Sequence, residues 1–357
     1  MNNRKVLIVG AYGTGNLGDD AIMVGLLKDL QNRGCINTCD DVIVFSRDPK
    51  ETSLIHNVNA KRRNLFDLLI STEVIIGGGE LFQDLGKMAL KYSILGLVSR
   101  ILGKHVVFYA IGVSTIRNSF GRAITRLSMN ASNGIFVRDH MSKIRLEKLG
   151  VHKPIYLIRD PSLNSDPIPL EAASRLLELE GIKISNYKII VGVTTQYIRD
   201  RRLNDQVQKL FLCSLRSILQ DYSSLCVIFF PFTRSKDNPK NIDAIYGTKL
   251  RKQLNIDRFK MLQHNYMPQE IMGIFGLVDV VISTRLHPLI FALKMNVPGI
   301  GVVVFEKVSS FCREHGFPVV KAEEAEKLRN LTEKLIKQKL EKRVSSTIIT
   351  GSQMRPP

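Results

Sequence analysis

A chain of 357 residues, 44% apolar and 24% charged, is too rich in core-forming side chains to be disordered and too long for one ordinary domain. Its 51 Lys and Arg against 33 Asp and Glu leave a formal charge of +18, which favours an anionic partner: a nucleic acid, an anionic membrane surface or a phosphorylated substrate. The cysteines Cys35, Cys39, Cys213, Cys226 and Cys312 lack paired metal spacing, and read as reduced thiols of a cytosolic chain rather than a disulfide frame or zinc site.

In chain order, Met-Asn-Asn-Arg-Lys leads straight into a short apolar strand and does not read as a signal peptide. Lys5–Gly10 predicts the first strand, and Asp20–Asn32 a helix with Ile22, Leu26, Leu27 and Leu30 at helical spacing. Asp41–Phe45, Glu73–Ile76, His105–Ile111, Gly134–Val137 and Pro154–Ile158 follow as strands. Between them Met88–Gly103 is an apolar helix that carries Lys91 and Arg100. A core helix is the favoured reading, beside an amphipathic one at a membrane surface. No apolar run reaches the roughly 18 residues that span a bilayer.

Asp160–Leu170 (DPSLNSDPIPL) has the prolines and small polar residues of a linker. Beyond it the pattern restarts, with strands over Tyr187–Val193, Leu225–Phe230, Phe259–Leu262, Val278–Ser283 and Gly299–Val304. Helices are predicted over Asp205–Gln220, Ile242–Leu254, Pro268–Leu277, Pro288–Met295 and Lys321–Arg343, with a frayed tail from Val344. Continuous apolar strands alternating with helices imply parallel sheets covered on both faces. The expected fold is α/β, with two doubly wound Rossmann-like domains over residues 1–163 and 171–320, joined by 164–170. Ligands then belong at the carboxyl ends of the strands, in a cleft between the domains.

Three loops carry the candidate chemistry. Gly13-Thr14-Gly15-Asn16-Leu17-Gly18-Asp19-Asp20 follows the first strand and opens a helix, where free N–H groups and the helix dipole favour anions. The glycine spacing is that of a dinucleotide loop. However, no acidic residue clearly ends the second strand in the ribose-binding position, and Asp19 and Asp20 would repel a pyrophosphate. Gly15, Asn16, Gly18 and Asp19 are substrate-binding candidates, beside the plainer reading of a tight turn capped by Asp19. Gly77-Gly78-Gly79 follows the third strand, and a turn needs one glycine rather than three. Gln83 and Asp84, read as the start of the next helix, are placed to orient a hydroxyl, unless Asp84 only caps that helix.

The third loop, Ser283-Thr284-Arg285-Leu286-His287-Pro288, is the sharpest signal. Pro288 as first helical residue puts Arg285 and His287 at a helix mouth. Arg binds phosphate or carboxylate as a fork, and His moves a proton near neutral pH. A structural salt bridge is the alternative for Arg285. Lesser candidates are Arg138, which an ion pair with Asp139 would also explain, and Thr195, which with Thr194 and Gln196 follows the first strand of the second domain. Arg199, Arg201 and Arg202 read as a solvated basic face, and Asp237 has no assigned role.

Together GNLGDDAI (Gly15–Ile22), GGGELFQD (Gly77–Asp84), FYAIGV (Phe108–Val113), VRDHMSKIRLEKLG (Val137–Gly150), RDPSL (Arg159–Leu163), STRLHPLIFAL (Ser283–Leu293) and VFEKVSSF (Val304–Phe311) resemble, in order and spacing, the polysaccharide pyruvyl transferases. Asp20 stands where that family usually has Glu, and Thr284 where it often has Met or a small residue. The resemblance implies a fold like the GT-B glycosyltransferases, phosphoenolpyruvate as donor, and as acceptor a sugar of a polysaccharide or glycan precursor, lipid-linked in some members. The product is a pyruvate ketal, with phosphate released. On this reading Arg285 clamps the donor, His287 donates the proton, the helix mouth at Pro288 holds phosphate, and Asp19, Gln83 and Asp84 orient acceptor hydroxyls. No residue pattern demands a metal or an organic cofactor. The rival readings are a nucleotide-sugar glycosyltransferase and a non-catalytic anion- or nucleic-acid-binding protein. No basic stretch interleaved with aromatics supports a nucleic-acid partner. The expected location is cytoplasmic, with a basic surface suited to peripheral contact with an anionic membrane.

Overall fold

A computed structural model describes residues 5–83, 88–234 and 243–352, the segment 342–352 by its backbone alone. The chain forms two compact units, one ending at Asp166 and one beginning at Pro167. Among the described residues the first unit has strands β1 (Val6–Val9), β2 (Val42–Phe45), β3 (Asn59–Lys61), β4 (Glu73–Phe82), β5 (His105–Val113), β6 (Gly134–Val137) and β7 (Ile155–Leu157). They pair in parallel in the order β3-β2-β1-β4-β5-β6-β7. β1 shows why these residues form a covered sheet. All four side chains of VLIV are fully buried, and successive ones point to opposite faces. Val6 and Ile8 pack with Met23 and Leu26 of helix α1 (Leu17–Asn32). Leu7 and Val9 share a core with Leu68, Tyr92, Met129 and Leu146. Those four come from the helices α3 (Leu65–Ile70), α4 (Met88–Ile101), α5 (Ser119–Ala131) and α6 (His140–Lys148); α2 is Pro49–His56.

The second unit repeats the plan. Its strands β8 (Ile189–Thr194), β9 (Leu225–Phe229), β10 (Phe259–Met261), β11 (Val280–Ser283), β12 (Gly299–Val302) and β13 (Val319–Val320) pair in the order β10-β9-β8-β11-β12-β13. Its helices are α7 (Leu170–Leu179), α8 (Arg201–Asp221), α9 (Asp243–Leu254), α10 (Pro268–Phe275), α11 (Leu286–Lys294), α12 (Glu306–His315) and α13 (Ala325–Ser352). Phe211 and Leu215 of α8 pack on Phe229 and Ile282, and Leu328 and Ile336 of α13 close the same core. In each sheet the strand order reverses once, between β1 and β4 and between β8 and β11. In open α/β sheets such reversals are where ligands bind.

Several details differ from the sequence reading. β4 does not stop at Ile76 but runs through the three glycines to Phe82. α4 begins at Met88 rather than at Gln83, while Asp84 and Asp237 lie outside the described residues. α13 continues past Arg343 to Ser352, since no proline interrupts it there. In the proline-rich stretch, Pro161–Asn164 is a 3-10 turn seated on α1. Asn164 Nδ2 donates to Asp29 Oδ1 at 2.7 Å, and Lys28 pairs with Asp166.

Gly25 is where that turn and α1 come closest. A Cβ there would lie 1.7 Å from the Pro161 carbonyl oxygen, backbone against helix, so neither partner can give way cheaply. Gly25→Ala is expected to lower the unfolding free energy by roughly 3 kcal/mol or more in urea titrations. Gly34→Ala is the control. Its Cβ would meet nothing within 4 Å, and only the positive φ of 64° opposes it, for about 1–2 kcal/mol.

Candidate active-site residues at the sheet switch points

In the first unit, polar side chains collect where β1, β4, β5, β6 and β7 end. α1 is capped by Asn16, not by Asp19. Asn16 Oδ1 accepts the Gly18 N–H at 3.1 Å, and its Nδ2 donates to Asp19 Oδ2 at 2.9 Å. Asp19 therefore sits buried in the first turn, where the helix dipole stabilises its charge. Gly15 adopts a left-handed φ of 73° to bring the loop into this cap.

Each residue of the triple glycine meets a protein atom. A Cβ at Gly77 would fall 2.0 Å from the Tyr109 carbonyl oxygen, and one at Gly78 2.3 Å from the Tyr12 hydroxyl. One at Gly79 would lie 2.9 Å from Asp19 Oδ1. Tyr12 donates to the Gly77 carbonyl at 3.0 Å, and Gly78 and Gly79 have φ of 77° and 101°. Close packing thus accounts for the glycines, and it sets the first loop directly against the second. Gln83 Nε2 turns back to the Glu80 carbonyl at 3.0 Å.

Arg138 lies over Gly112, with Nη2 3.3 Å from where a Cβ would stand. Its ion-pair partner is Asp160, at 2.9 Å with both side chains buried, and not the neighbouring Asp139. Asp139 is committed to the start of α6, accepting from the Ser142 N–H at 2.7 Å and its hydroxyl at 2.8 Å. Burial opposes the Arg138 charge, but Asp160, Asp139, Glu80 and Asp19 outweigh it and hold the guanidinium above its ordinary pKa. Glu80 in turn accepts the Ser114 hydroxyl. Glu80 and Asp160 lie within GGGELFQD and RDPSL, where single carboxylates carry no spacing signal.

In the second unit, β11 ends at Ser283, whose Oγ accepts the Arg285 N–H at 2.8 Å and donates to the Arg285 carbonyl at 2.9 Å. α11 then starts at Leu286 with Arg285 as its N-cap. His287 is the second residue of the first turn and Pro288 the third, not the first. Proline is tolerated there because the first turn's N–H groups have no helical acceptor. Arg285 Nη2 donates to Asp243 Oδ1 at 2.6 Å. Asp243 is wholly buried, and its Oδ2 accepts the N–H groups of Phe232 and Thr233 at 3.0 and 3.1 Å. Burial raises the Asp243 pKa against the opposing pull of Arg285 and these two N–H groups. Arg285 Nε is buried without a hydrogen-bond partner among the described residues. Thr195 is buried, and its hydroxyl oxygen accepts from Thr284 at 3.5 Å, while Gln196 Nε2 donates to the Thr284 carbonyl at 3.3 Å. Asp243 gave no signal in the sequence, since it opens a helix far from the Arg285 loop. Among the described residues no three His, Cys, Asp or Glu side chains gather as a metal site requires, and no helix is long and apolar enough to cross a membrane.

Two doubly wound units with loops at both switch points define a GT-B-type α/β protein, and solved structures share the fold. The S. aureus MnaA–UDP co-structure is similar with a TM-score of 0.65 at 11% identity, covering 93% of this chain and 88% of that one. The UDP-GlcNAc 2-epimerase from Neisseria meningitidis bound to UDP-GlcNAc gives 0.61 at 12%, with 93% and 91% covered. E. coli ADP-heptose LPS heptosyltransferase II gives 0.51 at 12%, with 94% and 99% covered. No curated protein matches the chain in sequence. Residues 16–304 match the polysaccharide pyruvyl transferase family, and the chain belongs to it.

Asp243→Ala leaves the partly buried Arg285 guanidinium, 15% exposed, without its carboxylate, and is expected to cost roughly 2–4 kcal/mol in urea unfolding. Asp243→Asn retains an acceptor for the two N–H groups and is expected to cost clearly less.

Proposed function

We propose that the protein transfers the pyruvyl group of phosphoenolpyruvate to two hydroxyls of a sugar in a polysaccharide or glycan precursor, with release of phosphate. Membership of a transferase family supports the reading. The observation that carries it is Arg285, which caps the N-terminus of α11 at the β8/β11 reversal and is aimed by a buried carboxylate. A three-carbon donor with a phosphate and a carboxylate suits a guanidinium at a helix N-terminus, where the helix dipole favours negative charge.

In the proposed reaction His287 gives a proton to the donor's methylene carbon, which becomes a methyl group. One sugar hydroxyl attacks the adjacent oxocarbenium-like carbon and loses its proton. The C–O bond to phosphate breaks with its electron pair going to phosphate. The second hydroxyl attacks the same carbon, loses its proton and closes the ketal. Arg285 and the α11 N-terminus balance the charge that grows on the leaving phosphate. Asp19, Gln83 and Asp84 are assigned to the acceptor hydroxyls, with Gly15, Asn16, Gly18 and Gly77–Gly79 shaping their loops. Arg138 holds the carboxylates of that loop set in place, and Thr195 supports the Arg285 loop. A second reading, a transferase using a nucleotide sugar, draws on the fold shared with the UDP and UDP-GlcNAc complexes.

Incubation with phosphoenolpyruvate and a panel of free and lipid-linked sugars is expected to give acceptor-dependent phosphate release and a ketal mass gain on the acceptor. His287→Gln is expected to lower kcat by roughly 10²–10⁴ with little change in KM for the donor. Arg285→Ala is expected to lower kcat/KM by about 10²–10³, with circular dichroism checking the fold. Nucleotide release from a sugar nucleotide, without phosphoenolpyruvate turnover or binding, would overturn the donor assignment.

A further inference from the structure

The inward sides of α3, α4 and α5 are accounted for by the first unit's core, through Leu68, Ala89, Tyr92 and Met129. Their outward sides carry apolar side chains among basic ones. α3 exposes Leu65, Phe66 and Leu69, with Phe66 67% exposed. α4 exposes Ile94, Val98 and Ile101, a stripe at i, i+4 and i+7 that ends in a side chain 83% exposed. α5 exposes Phe120 and Leu127, two turns apart on one line, with Phe120 60% exposed. A helix that faces only water carries charged and polar residues at such positions.

The three outward faces form one surface. α4 and α5 meet through small residues: Ser93 Oγ lies 3.0 Å from Thr125 Oγ1, and a Cβ on Gly96 would lie 2.5 Å from Ser128 Oγ. Lys104, just past α4, donates to the Leu69 carbonyl of α3. Arg63, just before α3, lies 5.4 Å over the Tyr92 ring of α4. Contiguous exposed apolar side chains on this scale mark an interaction face.

Charge identifies the occupant. Between Arg62 and Leu127 the exposed positions include Arg62, Arg63, Lys91, Arg117, Arg122 and Arg126, and among the described residues no Asp or Glu is exposed there. The acids Asp67 and Glu73 are buried and engaged by Lys61 and His105. A second copy of the same face would set basic residues against basic residues. A bilayer with anionic headgroups offers what both parts need: phosphates at the depth of the basic side chains, and acyl chains for the apolar ones. We infer that the outer face of α3, α4 and α5 docks the protein on the surface of an anionic lipid bilayer, without spanning it.

The test is co-sedimentation of the full chain with vesicles of phosphatidylcholine alone or mixed with phosphatidylglycerol. The native protein is expected to partition roughly tenfold or more in favour of the anionic vesicles at low salt. Ile101→Asp combined with Phe120→Asp is expected to reduce that partition about tenfold. Arg117→Gln with Arg122→Gln is expected to weaken it at low salt and to make it less dependent on salt. All four positions are exposed, and an unchanged circular dichroism spectrum and urea midpoint check that the fold is kept. Failure to bind anionic vesicles overturns the inference, as does equal binding by the Asp variant. A dimer in sedimentation velocity that Ile101→Asp dissolves, with no vesicle binding, overturns it in favour of self-association. Vesicle binding is read without turnover, so its failure is distinct from failure of the proposed reaction.

Discussion

The reversal of strand order in each sheet is the constraint on which the rest of this molecule depends. Right-handed crossovers place helices on one face while the chain steps away from β1, and on the other once it returns beside β1 as β4. The loops that leave the carboxyl ends of β1 and β4 therefore diverge to opposite faces, and no crossover helix covers the gap between them. The same holds for β8 and β11. At the first reversal Asp19 of the Asn16–Asp19 turn packs against Gly79, and at the second Arg285 caps α11 just past the end of β11. These loops are positioned by the core beneath them, since β1 and β11 are buried along their whole length.

The two switch points differ in electrostatic character. The first gathers Asp19, Glu80 and Asp160 around the guanidinium of Arg138, with Glu80 tied to Ser114 beyond β5 and Asp160 to Arg138 beyond β6. Such a set is suited to accepting hydrogen bonds from hydroxyls, with Arg138 restraining the carboxylates. The second sets one arginine and a helix N-terminus against one carboxylate, and the dipole adds to the positive side. An acidic, acceptor-rich loop set in one unit and a cationic one in the other correspond to the two partners of the proposed reaction, a polyhydroxylated sugar and a small dianion.

Most of the sheet strands were legible in the sequence because parallel strands buried on both faces are uninterrupted apolar runs, as in VLIV and VIVF. The edge strands β3 (NAK) and β13 (VV) were not, being short and only partly buried. Arg285 and His287 stood out as polar residues between a strand and a helix, whereas Asp243 did not, because its role exists only through a contact 42 residues away in the chain. The triple glycine shows the opposite failure. Three glycines do signal close approach, but the sequence cannot say to what, and the partners are Tyr109, Tyr12 and Asp19. For α4 the sequence is compatible with both a core helix and a surface helix. Its Ala89, Tyr92 and Gly96 belong to the interior, and its Ile94, Val98 and Ile101 to the outside.

A similar false choice hung over Arg285, read from the sequence as either a salt bridge or an anion clamp. The geometry allows one residue to be both. Asp243 engages only one of the guanidinium nitrogens, and an Arg presents five donors in a planar fork. The backbone N–H groups of Phe232 and Thr233 hold the Asp243 carboxylate from the other side, so the fork's direction is set by the protein interior rather than by solvent. The ion pair does lower the net charge that an incoming anion meets. In exchange, the side chain's conformational entropy is already lost before a ligand arrives, which for a flexible arginine is on the order of 1–2 kcal/mol. A lone surface arginine would present its full charge to an anion but would not fix its orientation. For a reaction in which a proton must reach one carbon and two hydroxyls another, orientation is the scarcer requirement.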